Sequence, residues 1–186
     1  MTWINDDTAT PRSVTGAYFN PTRLLTLQSR QSAAYKGIMA LILQNHAKDF
    51  ISGQEMDFTV YKSENIDIHH IFPKDYCEKC GYPRQKWNSV INKTPITYST
   101  NREIGGVAPS SYLSKIEEKK EVNSVDLDNY LETHWININA IRSDSFDEHI
   151  ISRANILLDN ISLAMGKTIS GRDSDEVVEA FGKALI

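Results

Sequence analysis

Apolar positions recur at helical spacing over most of this chain and give way to β-branched runs in two short stretches near its middle. Met1 to Tyr18 shows no period and reads as a tail or linker. Asn20-Pro21 is a helix-start signal, since Asn caps and Pro suits the first helical position; Leu24, Leu25 and Leu27 follow it. Ala33, Ala34, Gly37, Ile38, Leu41 and Ile42 predict a longer helix over Ser32 to Phe50, with Gly53 marking the exit. Phe58 to Tyr61 reads as a strand or the approach to one. Ile66 to Phe72 is rich in β-branched residues and predicts a strand that Pro73 stops. Lys74 to Ser89 is polar, with Gly81 and Pro83 as breakers, and reads as a long loop. A second strand is expected near Thr94 to Tyr98, then a turn at Gly105-Gly106. Pro109 then opens a helix carrying Tyr112, Leu113 and Ile116.

The last third predicts helices only. One begins near Ser124, with Leu127, Tyr130, Leu131 and His134 on one face. Ser145-Phe146-Asp147-Glu148 has the form of a capping box. The helix behind it aligns Ile150, Ala154, Leu157, Leu158, Ile161 and Met165, and Gly166 is its stop. A final helix from Asp173 or Ser174 is expected to bury Val177, Val178, Phe181 and Leu185. The fold class is therefore α+β. An N-terminal tail and helical pair (residues 1–60) and a C-terminal helical cluster (121–186) are expected to enclose a strand-bearing core (61–120) in one compact unit. His46, His134 and His149 fall in the helical parts and read as packing or surface residues.

The 186 residues suffice for a substantial core. No apolar run reaches the length of a membrane span, and the polar N-terminus lacks the apolar segment of a signal peptide, so a cytoplasmic protein is expected. The net charge of −4 is unusual for a nucleic-acid binder, but its distribution changes the picture. Ile71 to Arg102 holds six basic residues (Lys74, Lys79, Arg84, Lys86, Lys93, Arg102) against Asp75 and Glu78, a local +4 that leaves −8 elsewhere. Positive charge gathers where a phosphate backbone would need it, with a solvated basic loop as the other reading of the same charges.

The chemistry points to the same place. His69 and His70 end the first strand, and Asn92 and Asn101 follow in "INKTPITY" and "STNREIGG". Phosphodiester hydrolysis needs a base to activate water and a cation to stabilise charge on the phosphate and the leaving oxygen. Histidine titrates near neutrality and suits the base. Neighbours on a strand face opposite ways, so the two histidines serve different tasks only if the chain bends after them, as Pro73 permits. A His plus an Asn carbonyl leaves open positions on a divalent ion for water and phosphate.

The series Asp67-Ile68-His69-His70-Ile71-Phe72-Pro73, Asn92, Asn101 resembles an HNH nuclease of the ββα-metal (His-Me finger) class. It is similar to the HNH domain of RNA-guided Cas nucleases. It is more similar to the C-terminal HNH module of GmrSD-type, modification-dependent restriction proteins, where "HHIFP", "NKTP", "TNR-IGG" and "APS-YL" segments follow one another. The flanking "RLLTLQSRQSAAYKGIMALI" and "RANILLDNISLAMGK" extend the likeness over roughly Asn20 to Lys167.

The resemblance implies a ββα-metal core in a mostly helical domain and hydrolysis of DNA to 5′-phosphate and 3′-hydroxyl ends, in restriction of foreign or modified DNA. RNA stays open as a substrate. His70 matches the general base, His69 and Asn101 the ligands of one divalent metal, and Asn92 the residue that fixes the loop and orients the base. Asp67 sits where a carboxylate often supports the ligands. Lys93, Arg102 and Lys74 are candidate phosphate contacts. Magnesium is the expected ion, with manganese, nickel or zinc as alternatives. The family also implies a nucleotide-using or ParB-like specificity domain, so this chain is expected to be part of a longer protein.

Two other readings stand beside this one. A catalytically silent module of the same fold would hold nucleic acid or a partner. Alternatively, Cys77 and Cys80, the only cysteines, would join His69 and His70 in a closed structural zinc site. Trp87 and Tyr82 are expected to pack over the site, with base stacking as their alternative use.

Overall fold

A computed structural model describes residues 10–56 and 66–186. The stretch Phe58 to Tyr61 lies outside the described residues. The elements in order are α1 (Arg12–Thr15), α2 (Arg23–Thr26), α3 (Ala33–Gln44), β1 (Ile66–His70), α4 (Lys74–Cys80), α5 (Arg84–Trp87), a 3-10 turn (Val90–Asn92), β2 (Lys93–Thr97), α6 (Tyr98–Ile104), α7 (Pro109–Lys120), α8 (Ser124–Glu132), α9 (Ile138–Arg142), α10 (Phe146–Met165) and α11 (Asp175–Phe181). The fold is α+β, and among the described residues its sheet is the antiparallel pair β1–β2. The register sets Ile66 opposite Thr97, Ile68 opposite Pro95 and His70 opposite Lys93. Among the described residues no helix is long and apolar enough to cross a membrane.

Both strands fall within a residue or two of their expected positions, and Pro109 opens α7 at its first turn. The region between the strands differs from the expected loop. Gly81 and Pro83 do interrupt the chain there, but as the ends of helices: Gly81 closes α4 in a left-handed conformation and Pro83 precedes α5. The expected turn at Gly105 is likewise preceded by a helix, α6, which follows β2 directly and carries Asn101. Helix α3 is shorter than expected and ends at Gln44. His46 lies beyond it at positive φ, and Lys48 and Glu55 form an isolated antiparallel bridge in what was expected to be helix and exit.

The long helix α10 runs along the core with Ile150, Ala154, Leu157, Leu158 and Ile161 buried, and stops at left-handed Gly166 as expected. Its capping box does not form. Ser145 makes no side-chain cap bond, and its hydroxyl pairs instead with that of Ser143. In α11, Val177 and Phe181 are buried while Val178, expected inside, is exposed. Leu185 is buried beyond the helix end.

Helix α10 also carries Arg153, fully buried beneath the hairpin. Its guanidinium donates to the carbonyls of His134 (3.1 Å), Lys93 (2.9 Å) and Ile91. Backbone carbonyls thus accept from Nε and Nη1 of a charge that has no carboxylate partner among the described residues, while its Nη2 is buried without a hydrogen-bond partner among them. Burial still lowers its pKa to about 9. These bonds tie α10 to the start of β2.

Candidate active site

Strand alternation puts Asp67 and His69 on one face of β1 and Ile68 and His70 on the other. His69 is buried, with the rings of Tyr112 (6.0 Å between centroids) and Phe50 (6.5 Å) edge-on to it. Tyr112 is held in turn by its hydroxyl, which donates to the Ile71 carbonyl at 2.9 Å. The Nδ1 of His69 lies 2.8 Å from Oδ1 of Asn101. Asn101 reaches it from α6, and its Nδ2 donates to Oδ2 of Asp67 at 2.7 Å. The carboxylate accepts only, so it fixes which way the amide points and turns the amide oxygen towards His69. Burial, opposed by the Asn101 contact, pulls the His69 pKa down to about 4, and the imidazole is neutral at pH 7.

Helix α6 is placed by a residue that local patterns do not single out. Asp49 is buried and accepts hydrogen bonds from Thr97 N (3.0 Å), Thr97 Oγ1 (2.8 Å) and Thr100 Oγ1 (2.7 Å), and from Ile51 and Ser52 in its own turn. Burial alone would raise its pKa, but these donors outweigh it and hold the carboxyl below its ordinary value. Thr97 caps α6 through Thr100 N. Asp49 therefore anchors the helix end from which Asn101 projects.

Asn92 is fully buried and closes the loop. Its Oδ1 accepts from Phe72 N, and its Nδ2 donates to the carbonyls of Phe72 and Trp87, all at 2.9 Å. Its own carbonyl accepts from Ile71 N at 2.9 Å, extending the ladder past His70. His70 is half-buried, with the Trp87 ring edge-on at 5.8 Å and Asn88 Oδ1 3.2 Å from its Nε2. Burial, partly offset by the Asn88 contact, lowers its pKa.

His69, His70 and Asn101 line one open cleft of about 340 Å³ with Lys74, Asp75, Arg102 and Gly105-Gly106. Gly105 combines φ 68° with ψ −156°, a conformation essentially restricted to glycine. A Cβ on Gly106 would lie 2.7 Å from the Asp75 carboxylate. Of the three expected phosphate contacts, Lys74 and Arg102 line the cleft, Arg102 with its guanidinium 5.6 Å over the Tyr98 ring. Lys93 does not. It is buried, its ammonium donates to the Gln28 carbonyl at 2.9 Å, and burial with Arg30 nearby pulls its pKa to about 8.

Trp87 packs beside His70 as expected, whereas Tyr82 stacks on Phe146 at 4.2 Å. The four residues of the zinc alternative do not converge. Cys77 is buried with its thiol on the Phe72 carbonyl, Cys80 is exposed, and among the described residues no three His, Cys, Asp or Glu side chains group as a metal site. The set at the cleft consists of a histidine, a carboxylate and an amide.

No family model matches the chain, and no solved structure matches it. An uncharacterized protein of the archaeon Methanocaldococcus jannaschii is 32% identical over 152 residues, a match covering 73% of this chain and 24% of the archaeal protein. The chain thus spans about a quarter of the length of the curated relative it matches.

Proposed function

We propose that this chain is an HNH-type endonuclease with a ββα-metal core made by β1, β2 and α6, and that it hydrolyses DNA. The observation that carries this reading is the convergence of His69 and Asn101, braced by Asp67, beside His70 in one cleft. In this structure the Asn101 amide oxygen holds the hydrogen of the neutral His69 ring on Nδ1; a shift of that hydrogen to Nε2 would leave Nδ1 and Asn101 Oδ1, 2.8 Å apart, as the two atoms that would hold one divalent ion. Magnesium, manganese, nickel or zinc bound there would supply stabilisation of negative charge on the phosphate and the leaving oxygen.

His70 takes a proton from water as the water oxygen bonds to phosphorus. The bond to the 3′ oxygen breaks, and that oxygen is protonated from solvent, leaving 5′-phosphate and 3′-hydroxyl ends. Lys74 and Arg102 hold the strand by its phosphates. Asn92 keeps the bend after His70 closed. Restriction of foreign or modified DNA in the cytoplasm is the biology this reading implies. Target choice would reside in a nucleotide-using domain elsewhere in the protein, and RNA is the alternative substrate.

Cleavage of supercoiled plasmid in magnesium, manganese or nickel, with a chelator control, tests the proposal. His70→Ala is expected to lose at least about a hundredfold in rate while melting like the wild type. Metal-dependent nicking that survives His70→Ala would remove His70 from its role. If wild type neither cuts nor binds a divalent ion through His69, the silent binding module takes the place of the enzyme.

A further inference from the structure

We infer that Gln28 and Asn88 are positioning residues that lock His70 in its Nε2-protonated tautomer and leave Nδ1 as the nitrogen that accepts a proton. The use of that nitrogen rests on the endonuclease reading; the tautomer does not.

The direction of the chain of bonds starts from a group that can only accept. The Leu25 carbonyl takes a hydrogen bond from Gln28 Nε2 at 3.4 Å. An amide carries its nitrogen and oxygen on opposite prongs, so Gln28 Oε1 is turned to Asn88, whose Nδ2 donates to it at 3.3 Å. The same step turns Asn88 Oδ1 towards His70, 3.2 Å from Nε2. An amide oxygen has no hydrogen to give, so Nε2 must carry one. A neutral imidazole has a single N–H, and its Nδ1 is then bare. Nδ1 has no hydrogen-bond partner among the described residues.

Each link is held from outside the chain of bonds. The Gln28 carbonyl accepts from Lys93 Nζ, and the Leu27 carbonyl accepts from Val90 N at 2.8 Å. Asn88 is seated at the end of α5 by its N–H to the Arg84 carbonyl at 2.9 Å. Trp87 packs edge-on to the ring it orients. Gln28 and Asn88 lie outside the lining of the cleft, so they would reach its chemistry through His70.

The experiment is imidazole nitrogen NMR of the full chain above neutral pH without metal, paired with plasmid kinetics. Wild-type His70 is expected as one Nε2–H species. Asn88→Leu and Gln28→Met are expected to give mixed tautomers, whereas Asn88→Asp keeps an acceptor and keeps Nε2–H. In kinetics, Asn88→Leu should lower kcat roughly tenfold with KM within about twofold, and Asn88→Asp should recover most of the loss.

An Nδ1–H species in the wild type overturns the inference. So does a folded Asn88→Leu with an unchanged His70 spectrum; if that variant does not fold, Gln28→Met decides by the same criterion. A wild type that cuts no DNA but shows the tautomer dependence defeats the endonuclease reading and leaves this assignment standing.

Discussion

Two buried imidazoles, His69 and His134, present ring edges to the same Phe50 and use their nitrogens differently. His134 Nε2 lies 2.7 Å from the Lys48 carbonyl, which can only accept, so that nitrogen carries the hydrogen. Its Nδ1 then accepts from Thr94 Oγ1 at 2.6 Å. Both nitrogens have protein partners and the network is closed. Among the described residues His69 is hydrogen-bonded only at Nδ1, while its Nε2 is buried without a hydrogen-bond partner. Burial brings both groups to a pKa of about 4, so the shift does not separate these two histidines; their hydrogen-bond partners do. A histidine satisfied twice belongs to the scaffold. His69, hydrogen-bonded once and lining a cleft, has only that one contact to exchange for another partner.

The same substitution at both positions is the strongest way to break this contrast. His134→Leu should cost about 2 kcal/mol by leaving the Thr94 hydroxyl and the Lys48 carbonyl buried and unpaired. His69→Leu exchanges a poorly satisfied polar ring for an apolar side chain and should stay within about 0.5 kcal/mol of wild type in thermal melts, while losing divalent-ion binding. Equal losses in the two variants would end the distinction.

Acid tests the His134 half of the comparison. The folded pKa of His134, about 4, lies below the ordinary 6.5, because burial favours the neutral ring. Its stabilising contribution is therefore complete above pH 6.5 and is lost as pH falls towards 4. At pH 5 the loss from this group is about 2 kcal/mol, read as a lower denaturation midpoint, and it should be absent from the pH dependence of His134→Leu. The smallest effect belongs to the cleft rim. Gly106→Ala must displace the Asp75 carboxylate and should cost under about 1 kcal/mol, while changing divalent-ion affinity more than melting temperature.

Which of these residues the sequence reveals follows from how local their bonds are. His69, His70 and Pro73 stand together at a strand end, and Asn101 lies on the element after the second strand, so pattern and order expose them. Lys93 belongs to the same stretch, but basic character alone does not tell a cleft lysine from one whose ammonium is used by the Gln28 carbonyl. Asp49 and Asn88 escape notice because their partners are 48 and 18 residues away. Helices α4 and α5 are hidden for a different reason. Glycine and proline punctuate a loop and cap a short helix with the same residues, and a seven-residue helix such as α4 is too short for its period to decide. The Ser145 box does not form, and its hydroxyl pairs across the turn with that of Ser143.

The Asn92 amide has a consequence for how this molecule can change. It pins the backbone at Phe72 and again at Trp87, so the segment between those points is closed at its base as an insert. Tyr82 is fastened separately to Phe146 of α10, so a change at the α4–α5 junction that spares this stack and left-handed Gly81 is expected to leave His70 in place. The exposed end of α4, away from Lys74 and Asp75 at the cleft, is thereby free to diversify while the hairpin stays in register.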